Sequence, residues 1–342
     1  MIKEAIGKLI QNKDLTKQEA YDSMKDIMTG VATPSQVAGF LVGLLVKGET
    51  AMEIAGLALS MRDAAHPLTV HSADLVDCCG TGGDGQRGLN VSTAAAFVVA
   101  GAGFNVAKHG NRSVSSQSGS ADVLEILGVK IDPPSAAVEL SINQAGIGFL
   151  FAPHYHPAMK YAMPTRKELG IRTVFNILGP LTNPGKAQVQ LIGVYDPRLV
   201  KLLPQVMKEM GHKAGLVVHS GGWDEITLQG KTQVGELFEG RIKFYTWSAK
   251  DFGLPKVDPK HLRGGDAHAN AETIIKILSG GVVPARHVVV ANAAALIWIA
   301  ERAFHKNKIT LKEAVHRAEE SIHSGKAQQK LKEMAEISHS LD

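Results

Sequence analysis

The sequence predicts an α/β protein: a small N-terminal helical domain, then a larger α/β domain with a mostly parallel central sheet. Three observations carry this. Residues 1–65 hold three capping-box signals at short intervals. Beyond Pro67, short apolar runs alternate with helical periodicity. Nine of the 35 glycines fall between Gly80 and Gly119, just past the first predicted strands.

In the first segment Ile2, Ala5, Ile6, Leu9 and Ile10 have helical spacing. Thr16 with Glu19, Thr33 with Gln36 and Thr50 with Glu53 mark three further helix starts, and Pro34 suits a first turn. Gly30 and Gly48 read as helix stops. The expected boundary divides residues 1–67 from 68–342. Strands are predicted at Leu75–Cys79, Phe104–Ala107, Phe149–Ala152, Val189–Val194 and Gly215–His219. Helices are predicted at Ser92–Ala100, Ala121–Leu127, Pro197–Met210, Ala271–Leu278, Pro284–Phe304 and Leu311–His323.

Composition excludes several classes. With 44% hydrophobic and 20% charged residues, the chain is neither disordered nor collagen-like. Its net charge of +4 comes without a basic run, and aromatics are 5%, so a nucleic-acid partner is not expected. A small anionic ligand needs only a few cations in one cleft. Cys78 and Cys79 are adjacent and the only cysteines, which suits reduced thiols and a cytoplasmic setting. The start Met1-Ile2-Lys3-Glu4 reads as a helix, not a signal peptide. The apolar stretch Val288–Ala300 falls short of a membrane span, so no membrane partner is expected.

Two loops concentrate chemistry. Gly80-Thr81-Gly82-Gly83-Asp84-Gly85 follows a strand, and Asn90-Val91-Ser92-Thr93 opens a helix. Such a turn is a natural anion site, because amides and the helix dipole both favour negative charge. It also serves as a plain tight connection. Gly80, Gly82 and Gly85 match a dinucleotide fingerprint, but Gln86–Leu89 delays the helix too long for one. Gly230-Lys231-Thr232 ends like a P-loop but has Glu225 where the first glycine belongs. The second loop, Lys108–Ser120, gathers cations, hydroxyls and glycines. It reads either as a polar surface turn or as a cover over phosphates, with Lys108 and Arg112 as charge partners.

These two loops resemble the signatures of the anthranilate phosphoribosyltransferase family. Arg166–Asn176, Gly179–Pro184 and Asp224-Glu225 after Gly221-Gly222-Trp223 continue the match. The resemblance implies transfer of a phosphoribosyl group from phosphoribosyl pyrophosphate to the amine of anthranilate, in tryptophan biosynthesis. It implies a nucleoside phosphorylase/phosphoribosyltransferase-like architecture, residues 165–185 packed on the helical domain, and a homodimer formed through that domain.

The resemblance places donor binding on Gly80, Gly83, Asp84, Gly88, Asn90, Val91, Ser92 and Thr93. From the second loop it adds Lys108, His109, Gly110, Asn111, Arg112, Ser113, Val114, Ser115, Ser116 and Ser120. It places the acceptor on Gly80, Asn111, His154 and Arg166, and Mg²⁺ on Ser92, Asp224 and Glu225. No group is strictly required as a catalyst, with Lys108 and His109 in support. His154-x-His156 lacks partners at zinc-ligand spacing. Gly88 departs from the family, many members of which carry a hydroxyl residue there. Pyrimidine nucleoside phosphorylase is a rival reading, but its first loop reads Ser-Thr-Gly-Gly-Val-Gly. A noncatalytic nucleic-acid-binding relative is another, and it would lack Arg166 or the acidic pair.

Overall fold

A computed structural model of the chain describes residues 1–72, 74–113 and 117–341. Four helices come first: α1 (Ile2–Leu9), α2 (Lys17–Met28), α3 (Pro34–Lys47) and α4 (Ala51–Asp63). All three expected capping boxes are formed, each with reciprocal side-chain and backbone bonds. The second part runs β1 (Leu75–Gly80), α5 (Val91–Gly101), β2 (Asn105–Gly110), α6 (Ser120–Ile126), α7 (Ser135–Ala145), β3 (Ile147–Phe151) and α8 (Ala152–Tyr155). Then come α9 (Met163–Leu169), α10 (Phe175–Leu181), β4 (Val189–Gly193), α11 (Leu199–Glu209), β5 (Ala214–His219), β6 (Thr232–Phe238) and β7 (Arg241–Trp247). Helices α12 (Ala249–Phe252), α13 (Ala267–Leu278), α14 (Pro284–Ala300), α15 (Leu311–His323) and α16 (Lys326–Ser338) complete the chain.

The strands form one sheet in the order β3-β2-β1-β4-β5-β6-β7. The five strands expected from the sequence are parallel, while β6 and β7 add an antiparallel hairpin that the sequence reading passes over. Its two-residue turn, Glu239-Gly240, has positive φ at both positions (49° and 71°), the geometry whose twist suits a hairpin.

Alternation along β4 sends Val189 and Leu191 to one face and Ile192 and Val194 to the other. The first face is covered by α5 and α13–α16. The second packs in one core with α1–α4, with Phe175, Ile177, Leu178 and Leu181 of α10, and with Leu203, Val206 and Met207 of α11. The helical layer is therefore not sealed off from the sheet. Arg62, near the end of α4, ties the two together: Nε donates to the Leu181 carbonyl at 2.7 Å.

One expectation is corrected. The apolar stretch 288–300 belongs to a continuous helical span, Pro284–His305, in which α14 passes into a single π turn. Its 22 residues meet the length and hydropathy of a membrane span. Most of it is buried between α5, α15 and the sheet, so its apolarity is that of a core helix packed on all sides.

Candidate active site

In a mostly parallel sheet the ligand crevice lies beyond the carboxyl ends of the strands, where the chain order reverses. Here that point is between β1 and β4. A cleft of about 610 Å³ opens there. Its walls are the loop after β1, the loop after β2, the turn after β5, and α9–α10 from the helical layer.

The first wall is the glycine loop. Gly80 ends β1, and the Thr81 amide donates to the Gly193 carbonyl at the end of β4. Gly82 and Gly83 have φ of 64° and 75°, which only glycine adopts without strain. Asp84 and Arg87 also line the cleft, and Ser92 and Thr93 bring the start of α5 to it. Thr93 Oγ1 is buried with no hydrogen-bond partner. Val91 points away into the core, 1% exposed, beneath the cleft wall.

The second wall is organised by a residue the sequence reading passes over, Asp122. Its Oδ2 accepts the amides of Ser113 at 3.0 Å and Gly119 at 2.8 Å, clasping both ends of the loop. Arg112 is paired with Asp122 and Glu125 at 2.9 Å each, so its charge is already partly neutralised. Asn90 joins the two loops: Nδ2 donates to the Ser118 carbonyl, while Oδ1 accepts from Ser118 Oγ and Asn270 Nδ2. Gly110, Asn111 and Ser120 line the cleft. Val114, Ser115 and Ser116 lie outside the described residues.

Lys108 and His109 close the floor. Lys108 is 3% exposed and its Nζ donates to the Cys78 carbonyl at 2.9 Å. Asp77, fully buried below it, accepts from the His109 amide and from Asn183 Nδ2 at 2.8 Å. Burial raises the Asp77 carboxyl above its ordinary value despite nearby Lys108. The His109 ring bonds the Gly179 carbonyl through Nδ1, and its Nε2 is buried without a partner. Burial first, then His156 at 5.4 Å, push its pKa down to about 3, so the ring is neutral. His154 stands apart, packed edge-on against His66 and Tyr155 and not lining the cleft.

The turn after β5 presents the acidic pair. His219 shapes it, with Nδ1 2.8 Å from the Val194 carbonyl and Nε2 accepting the Gly222 amide at 3.1 Å. The Gly82 amide donates to Asp224 Oδ2 at 2.9 Å. Glu225 Oε2 is sealed from solvent with no partner. Burial, then the Asp84 charge, raises the Asp224 carboxyl; burial, then Asp224, raises Glu225 well above the usual range. Three carboxyl groups facing one another in low dielectric call for a cation. Among the described residues no group of three or more histidine, cysteine or carboxylate side chains is placed to hold a metal ion by itself. A hard cation such as Mg²⁺ needs only one or two protein carboxylates and completes its shell with water and substrate oxygens.

The fourth wall supplies two arginines. Arg166 lies over the Phe175 ring at 4.8 Å, and its only side-chain hydrogen bond among the described residues reaches Met163 Sδ. No carboxylate among the described residues is within ion-pair distance of it, and burial lowers its pKa. Arg172 bonds the Gly83 carbonyl and stacks on Tyr195 at 4.3 Å.

The chain is similar to known proteins over nearly its whole length. The models of a glycosyl transferase family match twice, its helical bundle domain at residues 3–65 and its α/β domain at 72–328. Anthranilate phosphoribosyltransferase of Moorella thermoacetica is 50% identical over 98% of this chain and 97% of its own length. That of Methanocorpusculum labreanum is 48% identical over 99% and 98%. The chain belongs to the anthranilate phosphoribosyltransferase family. The family member from Thermus thermophilus superposes with a TM-score of 0.92 at 41% identity, over 98% of this chain and 99% of that one. The Saccharomyces cerevisiae member, solved with PRPP and Mg, gives 0.88 at 28% identity over 99% and 98%. Within the family frame, Asp122, Arg172, Tyr195 and His219 are the contributors that motif reading leaves without a role. Only Asp122 carries a local signal, three residues after Gly119 at a helix start.

Proposed function

We propose that the chain transfers the phosphoribosyl group of phosphoribosyl pyrophosphate to the amine of anthranilate, releasing pyrophosphate, as a step of tryptophan biosynthesis. The observation that carries this is one cleft shared by the glycine loop, Lys108, the Asp224–Glu225 turn with its partnerless Glu225 oxygen, and Arg166, which has no carboxylate partner among the described residues. The first three suit a diphosphate with its cation, and the last a planar carboxylate.

The donor then lies along Gly80–Thr93, under the Lys108–Ser120 loop, at the positive end of α5. Asp224 and Glu225, with Ser92, would hold Mg²⁺, which supplies charge neutralisation on the departing pyrophosphate. Lys108, fixed by the Cys78 carbonyl, adds a positive charge on the same side. Arg166 clamps the anthranilate carboxylate with its planar fork, and Asn111 and the Gly80 backbone meet the amine side. The bond from ribose C1 to the pyrophosphate oxygen breaks with its electron pair leaving on that oxygen, the amine nitrogen takes its place, and the nitrogen gives up one proton to water. An aryl amine is nucleophilic as it stands, so no strong base is needed; neutral His109 is fitted to positioning.

The helical layer leaves Ile10, Val31, Leu45, Val46 and Met52 exposed, which supports a homodimer formed through it, to be checked by light scattering. The unpaired thiols of Cys78 and Cys79 fit a cytoplasmic enzyme. The test of the function is pyrophosphate release from the donor with Mg²⁺, with and without anthranilate. Acceptor-dependent release is expected. No such turnover, with phosphorolysis of thymidine or uridine instead, would overturn it.

A further inference from the structure

Gly88 is the one position where the glycine loop parts from the pattern it resembles, and Trp223 stands against it. A methyl group on Gly88 would lie 2.8 Å from Cζ3 of the Trp223 indole and 3.5 Å from the Leu262 carbonyl oxygen. Gly88 does not have the positive φ of its neighbours Gly82, Gly83 and Gly85. Its backbone would accept any residue. The space for a side chain is what is missing, and the indole fills it.

Both partners are fixed. Gly88 bridges Arg263, with Leu89 and Gly264 amides bonded across to Leu262 and Arg87 carbonyls at 2.9 Å. Trp223 is 5% exposed and exchanges backbone bonds with Ser220 at 3.0 and 3.1 Å. The next residues along the turn are Asp224 and Glu225. The indole is thus a rigid spacer between the returning arm of the glycine loop and the acidic turn, and both it and Gly88 line the cleft.

We propose that Trp223 is a positioning residue which sets the gap between the donor loop and the Asp224–Glu225 pair, occupying the volume a side chain at position 88 would take. This rests on the proposed reading of the cleft as a site for phosphoribosyl pyrophosphate with its divalent cation. Size at one position then dictates size at the other. A methyl group at 88 pushes the indole and the acidic turn apart, and a smaller residue at 223 lets the two arms close in.

The test is a double-mutant cycle of Gly88→Ala and Trp223→Leu, with Trp223→Phe as a milder second variant. Acceptor-dependent turnover by the wild type first establishes the reading of the cleft; its absence removes that reading whatever the variants do. Each single variant is expected to raise the apparent constants for Mg²⁺ and donor by roughly tenfold, while the anthranilate KM moves less than about twofold. The double variant is expected to recover a large part of the loss, since alanine at 88 refills space that leucine vacates. Multiplying effects in the double variant would overturn the proposal, as would equal changes in all three constants. Tryptophan emission gives a readout independent of turnover. Trp247 and Trp298 pack against each other at 5.7 Å and do not line the cleft. Adding Mg²⁺ and donor without acceptor should change emission in the wild type and not in Trp223→Phe. An unchanged wild-type signal counts against the assignment.

Discussion

Gly193 and Asp224 meet backbone to backbone: a methyl group on Gly193 would lie 1.5 Å from the Asp224 carbonyl oxygen. The end of β4 therefore fixes where the acidic turn sits. Gly193→Ala is expected to displace the turn, costing about 1–3 kcal/mol of stability by overpacking. Cation-dependent turnover should fall at least roughly tenfold, because a small misplacement of a ligand pair is costly. Thermal unfolding beside steady-state kinetics checks both. Wild-type turnover in the variant would show that the turn is held elsewhere.

Arg166 has the Phe175 ring beneath it and no carboxylate partner among the described residues. Arg166→Ala should raise the anthranilate KM roughly 10- to 100-fold and leave the donor KM nearly unchanged. Arg166→Lys should recover little, since an ammonium lacks the bidentate fork. Parallel effects on both KM values would remove Arg166 from the acceptor site.

Glu225 carries a buried oxygen without a partner beside Asp224 and Asp84. Glu225→Gln removes a carboxyl whose ionisation the unliganded fold opposes. The variant should therefore gain about 1 kcal/mol of stability at pH 8 without Mg²⁺, while losing most of its activity. Denaturant titration and a turnover assay on the same preparation decide it. A less stable variant would mean that Glu225 is satisfied by its surroundings.

His212 gives a pH signature. It is 7% exposed, with Nδ1 3.0 Å from the Met207 carbonyl and Nε2 facing both Gln190 Oε1 at 2.8 Å and the Arg62 guanidinium at 3.3 Å. Burial, then the Arg62 charge, pushes its pKa down to about 3. In the unfolded chain the ring takes up a proton near pH 6.5. Below that pH the unfolded state holds a proton that the native state refuses, so this group's share of stability falls as pH drops, by up to about 1.4 kcal/mol per unit. Asp77 and Asp224, raised by burial, act in the opposite sense. The comparison is therefore with His212→Asn: the wild type should lose more stability between pH 6.5 and 4.5. Equal slopes would refute the assignment.

What could be read in advance follows from how local each signal is. A capping box is complete within four residues, so Thr16, Thr33 and Thr50 mark their helices unaided. The parallel strands are short, mostly apolar and followed by glycine or polar loops. The β6–β7 hairpin is harder. Its outer strand is largely exposed and its polar residues blur the alternation around Gly235, although Glu239-Gly240 is a turn signal. In the site, contiguous motifs are legible. Tyr195 under Arg172 and the Trp223 ring against Gly88 are not, since each contact joins segments more than twenty residues apart.

The shared core of α1–α4 with α10, α11 and the sheet has a bearing on biosynthesis of the chain itself. Residues 1–65 leave the ribosome before the other members of that core, which extend to Leu237. At ordinary elongation rates the wait is on the order of ten seconds. During that interval Phe40, Leu41, Leu44 and Ile54 belong to a nascent segment whose shared core is still incomplete, so this stretch of chain has greasy surface to shield while the rest is made.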